Sequence, residues 1–192
     1  MSFQQAVGYQ FNRGLPGEII NDGPTRVAPF IAKLVAAGSL LRVGRAFTYV
    51  SGYTAPATGA MADVQKATVG GAGAFAGILV RPKEYALYGT QAGGPLAPSY
   101  DVLPESGINL MDMGIIVVEV DNITAAGITD GYGAGAGYVS ASGDATQLGM
   151  IVPADLAPPA GVTITPIPNS RFKVLDPIAA NSSGLAILQL TQ

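Results

Sequence analysis

The sequence predicts an all-β fold, read as a β-sandwich or jelly-roll-like domain or a small barrel. Short apolar runs that alternate or are rich in β-branched residues recur along the chain, Ile115–Val120 (IIVVEV) being the clearest. Turn-forming residues separate them: 26 glycines and 14 prolines make up about a fifth of the chain, against roughly 12% on average. The length of 192 residues suits one domain and suffices to bury a core without covalent staples.

Taken in order, residues 1–26 read as an extended N-terminal arm, followed by a single β-domain over 27–192. In the arm, Gly8, Gly14, Pro16, Gly17, Gly23 and Pro24 forbid a continuous helix. Phe3, Val7, Tyr9, Phe11, Leu15, Ile19 and Ile20 make it too apolar for a solvated tail. It is expected to lie against its own domain or a neighbour. Over 27–41, Phe30, Ile31, Leu34, Val35 and Leu41 fall on one helical stripe and argue for a short helix, while Pro29 and Gly38 argue against a long one.

Strand signals follow. Arg42–Val50 alternates, with Val43, Arg45, Phe47 and Tyr49 on one side. Phe75–Arg81 is a second strand, interrupted by Pro82 and resumed over Glu84–Tyr88. After Ile115–Val120 come Gly137–Ser140, Val162–Pro166, Arg171–Leu175 and Leu185–Leu190, with irregular loops at 51–62 and 153–161.

Composition excludes much chemistry. The chain has no cysteine, histidine or tryptophan, which removes disulfides, thiolate metal sites and every Ser–His or Cys–His pair. Charged residues amount to 12%, about half the usual ~25%, with net charge −3. One explanation is a robust β-protein with a Ser, Thr and Asn surface. The sharper one is a subunit largely covered by partners, because interface cores are depleted in charge. Arg42 and Arg45 are the densest basic pair, too little for nucleic acid. No run approaches 18 apolar residues, and MSFQQAVGYQFNRG lacks a basic stretch followed by an apolar one, so neither a membrane nor secretion is expected.

Local groupings yield no catalytic constellation. Gly70–Gly77 (GGAGAFAG) lacks the spacing of a phosphate-binding loop and reads as a flexible loop entering a strand. Gly131–Gly137 alternates glycine, which suits either a strand face that another backbone approaches or a mobile loop. Asp112, Glu119, Asp121 and Asp130 are a local acidic group with no calcium-loop spacing, read as solvated strand-end charges, Glu119 and Asp121 sharing one strand face without a basic partner. Ser39, Ser51 and Thr54 have no base to activate them. No catalytic residue, cofactor or metal is expected.

Several segments, weak singly but ordered and spaced alike, resemble one family. They begin with Gly14-Leu15-Pro16-Gly17-Glu18-Ile19 and Gly23-Pro24-Thr25-Arg26, then Val43-Gly44-Arg45-Ala46-Phe47 and Phe75-Ala76-Gly77-Ile78-Leu79. Asn109–Val120, in which Asp112-Met113-Gly114 leads into the long apolar run, continues the pattern. Arg171-Phe172-Lys173-Val174-Leu175 and Gly184–Leu190 complete it. From about residue 14 to its end, the chain resembles the structural cement (capsid decoration) proteins of tailed bacteriophages, departing at Ala32–Ser39, which reads more helical.

The resemblance implies an all-β protein on the outer surface of the virion capsid, synthesised in the host cytoplasm. Its partners would be the major capsid protein, whose neighbouring subunits it bridges to reinforce the shell, and itself, as a homodimer in preference to a trimer. Phe3, Tyr9, Phe11 and Leu15 are the expected contact residues to capsid or self. The rival reading is a carbohydrate- or cell-surface-binding β-domain of a phage tail or fibre. Against it, tryptophan is absent and tyrosine is dispersed.

Overall fold

The computed structural model describes residues 15–20, 23–34, 36–50, 65–81, 101–121, 127–128 and 135–191. The described strands are β1 (Arg26–Lys33), β2 (Ala46–Tyr49), β3 (Lys66–Val69), β4 (Phe75–Leu79), β5 (Gly107–Asp121), β6 (Ala136–Ala141), β7 (Ile151–Pro153), β8 (Thr163–Pro166), β9 (Ser170–Val174) and β10 (Ser183–Leu190). A single 3-10 turn, Ala145–Gln147, is the one helical element among the described residues.

The pairing order β1-β3-β2-β4-β5 closes on itself through a β1–β5 ladder and makes a five-stranded barrel. A second sheet runs β9-β10-β5-β7-β6-β8. The jelly-roll-like expectation therefore gives way to a closed barrel with an appended sheet. Two pairs, β1–β3 and β5–β7, are parallel, which consecutive hairpins would not produce.

Strand β5 belongs to both sheets. Its 15 residues span roughly 50 Å at ~3.3 Å each. Residues 107–113 pair with β1, and 114–121 pair with β10. Gly114 marks the change, with φ +133 and a backbone so close to Thr25 that a Cβ would lie 2.5 Å from its Cγ2.

The period of two sorts side chains into two cores. Phe47, Leu79 and Leu110 point into the barrel with Phe30, Leu41 and Val69. Their neighbours Ala46, Ile78 and Met111 point outward, into a second core with Ile116, Tyr138, Ile151, Phe172 and Leu188. Each fully buried large apolar side chain contributes roughly 1.5–3 kcal/mol, so both faces of the barrel wall are committed.

Several expectations change here. The stripe at 27–41 forms no helix over 26–33; that segment is β1, with Phe30 and Ala32 buried and Val27 and Pro29 exposed. Ala32 N donates to Ser106 O toward β5, while Ile31 N donates to Gln65 O toward β3. Pro29 shares the parity of Ile31, so its missing N–H lies outside the β1–β5 ladder. The strand expected over Arg42–Val50 is shortened to Ala46–Tyr49, because Val43-Gly44 make a turn closed by Arg45 N to Arg42 O. Strands β3 and β7 were not foreseen. Residues 51–62, 84–88 and 131–134 lie outside the described residues.

The described end of the expected arm is bound to its own domain. Gly17 N donates to Val117 O, Val117 N to Glu18 O, and Ile20 N to Ile115 O, so residues 15–20 run antiparallel along β5. Arg81 N donates to Gly17 O, and Ile19 packs on the second core. The physical reason is the open edge of β5 beyond β1, whose polar backbone groups need partners.

Candidate functional site

Of the residues expected to make contacts, Phe3, Tyr9 and Phe11 lie outside the described residues. Leu15 is half-buried, and its N–H donates to Glu18 Oε2 at 3.0 Å, which opens the segment docked on β5.

Asp112, read as a solvated strand-end charge, is instead in an ion pair: Arg26 Nε lies 2.7 Å from its Oδ1, and Arg26 Nη2 lies 2.6 Å from its Oδ2. That bidentate pair raises the Arg26 pKa, and burial followed by the Asp112 charge pushes the Tyr49 phenol up. Glu119 borders an open cleft of about 450 Å³ with Pro16, Arg42, Val43 and Leu185. The Asp121 side chain, and all of Asp130, lie outside the described residues. Ser39 is buried and caps a turn through Oγ to Ala36 O, while Ser51 and Thr54 are not described. Among the described residues no group of three metal-ligating side chains assembles.

Two further ion pairs join the β1 region to the lead-in of β5: Lys33 Nζ to Glu105 Oε1 at 2.5 Å and Arg42 Nε to Asp101 Oδ1 at 2.9 Å. The exposed large apolar residues Val27, Leu34 and Leu103 lie in the same two segments. Sequence reasoning missed these partners because each pair spans 59 to 86 residues.

The glycines at 70–77 are not a loose loop. Gly70 N donates to Ala46 O, Ala46 N to Gly149 O, and Gly149 N to Val139 O, which docks the barrel on β6 through the backbone. Gly149, at φ +74, lies so close to Val69 that a Cβ would come within 2.4 Å of Val69 Cγ2. Gly137, in β6, has the close approach foreseen for alternating glycines, with Ile164 Cγ2 2.7 Å from where its Cβ would stand.

The outer surface of the second sheet presents ordered rows. Glu18, Val117, Ile187 and Lys173 form one row, from the docked segment across β5 and β10 to β9. Ile20, Ile115, Gln189 and Arg171 form the next, and Glu119 and Leu185 lie in a third. Glu18, Arg171 and Lys173 are exposed, Ile20, Ile115, Leu185 and Ile187 are half-buried and belong to neither core, and Val117 at the centre of the face is fully buried, so the face is covered there. The alternation in Arg171-Phe172-Lys173 signals this face in the sequence. What the arrangement can do is pack against another surface. It assembles no reacting groups.

A model of the family described as structural cement protein (E217 gp24/Pam3 gp6) matches residues 3–191. A chain in the solved structure of the capsid of Myoviridae phage XM1 is similar at TM-score 0.57 and 17% identity, covering 100% of this chain and 99% of that one. No curated protein matches. The fold thus defines a structural class, an all-β barrel with an appended sheet, of which a chain from a phage capsid structure is another example. The chain belongs to the phage structural cement protein family. Membership carries a structural, non-enzymatic role as a component of the phage capsid.

Proposed function

We propose that the protein binds the outside of the assembled capsid, bridges neighbouring major capsid subunits and stabilises the shell, acting as a homo-oligomer, a dimer in preference to a trimer. The observation that carries this reading is the family match over nearly the whole chain, residues 3–191. The two-core body supports it, since a rigid clamp resists relative movement of what it bridges. The low charge supports it too, since a covered surface needs few charges.

The mechanism is mass action. A ligand that binds the assembled shell and not its separated subunits stabilises the shell by RT ln(1 + [L]/Kd) per site, about 2.7 kcal/mol when its concentration is 100 times Kd. Many sites on one lattice add avidity without tight single contacts. Phe3, Tyr9 and Phe11 extend this reach to a neighbouring subunit from the anchor that residues 15–20 make on β5.

The test mixes purified protein with empty shells of the cognate phage. Co-sedimentation and a raised shell melting temperature are expected. Protein that leaves shells untouched and instead binds host-surface glycans would overturn the reading in favour of a tail or fibre module.

A further inference from the structure

We infer that the turn Leu103–Ser106, at the end of the barrel where β1 finishes and β5 begins, seats its leucine in an apolar pocket of the capsid shell. This rests on the shell binding proposed above and specifies the surface that makes it. Among the described residues Leu103 is the most exposed large apolar side chain, at 77%, and Leu34, at 43%, lies at the same end of the barrel. A lone exposed leucine is ordinary on a protein surface. This one is held in place.

Ser106 donates to Leu103 O through both its N–H, at 3.3 Å, and its Oγ, at 2.5 Å, which closes the turn. Pro104 at the second position and Glu105 at the third, with φ +62, make the pattern of a type II turn. Left-handed backbone is unfavourable for a residue with a side chain. Two contacts hold Glu105 there: its N–H donates to Ala32 O at 2.8 Å, and its carboxylate pairs with Lys33. On the other side of the leucine, Val102 N donates to Leu41 O at 2.7 Å, next to the Arg42–Asp101 pair. A side chain carried on a turn tethered at both ends loses little freedom when it binds.

The same contacts define the partner. The charges around the turn are matched within the chain, Lys33 with Glu105 and Arg42 with Asp101, so the surface offered suits an uncharged, apolar pocket. The two leucines present on the order of 200 Å², against the ~800 Å² that a standard interface buries per partner, too little to hold two free copies together. On a shell, a bridging protein engages repeated sites, and contacts this small add up. The occupant is therefore the shell.

The experiment measures binding of the full chain to empty shells of the cognate phage by co-sedimentation, with melting in parallel. Leu103→Asp should weaken binding about tenfold or more, and Leu103→Ala by less. Melting should be unchanged, because Leu103 belongs to neither core. High salt should leave the wild-type affinity within about twofold. The chain has no cysteine, so Leu103→Cys places a single thiol on the turn. Shells should slow its reaction with a maleimide about tenfold, by covering it. Binding by Leu103→Asp equal to that of the wild type, or a thiol that reacts equally fast on and off the shell, overturns the inference. A large loss of binding with salt overturns it too, since charges would then carry the contact. Slowing of the thiol reaction by protein concentration alone assigns the turn to a second copy and is a further refutation. In each of these cases a wild type that binds shells leaves the cement reading standing, whereas a wild type that does not bind them overturns both.

Discussion

Arg45 Nη1 donates to the carbonyl oxygen of Leu148 at 2.9 Å, across 103 residues of chain, and also to Thr146 O at 2.5 Å. Arg45 is 6% exposed, so a buried guanidinium at the entry to β2 holds the turn between β6 and β7. The contact ties the barrel to the second sheet beside the Ala46–Gly149 backbone bonds.

Removing that donor leaves two carbonyls with poorer partners, that of Leu148 buried and that of Thr146 part-buried. Arg45→Met should lower the unfolding free energy by about 2–4 kcal/mol, and Arg45→Lys by less. Urea denaturation is the measurement. An unchanged m-value would mean that the two cores still unfold together.

Gly149 and Gly161 have similar backbone angles, φ +74 and φ +82, but different surroundings. A Cβ at Gly149 meets Val69 Cγ2 and Ala46 O, whereas one at Gly161 meets nothing within 4 Å. Gly161→Ala should cost about 1 kcal/mol for its backbone conformation alone. Gly149→Ala should cost about 2–4 kcal/mol, because overpacking against backbone is added. Equal losses in the two variants would mean that the junction gives way easily.

Truncation separates the arm from its anchor. Deleting residues 1–14 should leave the melting temperature nearly unchanged while weakening shell occupancy. Deleting 1–20 should destabilise the domain, because it strips the partners of Val117 and Arg81 and uncovers the second core beside Ile19. Melting of both truncations, measured with shell co-sedimentation, checks this.

Asp144 caps the 145–147 turn: its Oδ1 accepts from Thr146 Oγ1 at 2.7 Å and from Thr146 N at 2.9 Å. The side-chain bond, then the backbone bond, pull its pKa below the ordinary value, with a smaller contribution from the Arg45 charge. A depressed folded pKa stabilises the protein above the unfolded value, near 3.9, and the contribution disappears as pH falls through the folded one. The melting-temperature gap between wild type and Asp144→Ala should therefore be full at neutral pH and close in acid below about pH 4. A gap that does not change with pH would contradict the assignment.

Much of the strand content was legible because local pattern and burial agree. Ile115–Val120 reads as a strand from its β-branched run, and it is buried or half-buried throughout in the middle of the second sheet. Arg171–Val174 alternates in sequence and alternates in exposure. Arg26–Lys33 misled, because Phe30, Ile31 and Leu34 satisfy a helical stripe as well as a strand, and only the ladders to β3 and β5 decide between them. Strands as short as Ile151–Pro153 carry too few residues to show any period.

Residue types and near neighbours alone establish the all-β class, the lack of cysteine and histidine chemistry, the charge-poor composition and the family resemblance. The folded arrangement adds that β5 serves two sheets, that residues 15–20 pair with β5, and that Asp112, Glu105 and Asp101 find cations far along the chain. The reason is physical. A strand's own residues set its propensity, but its partner is whichever edge lets apolar faces close and backbone groups pair, and that choice is made between segments many tens of residues apart.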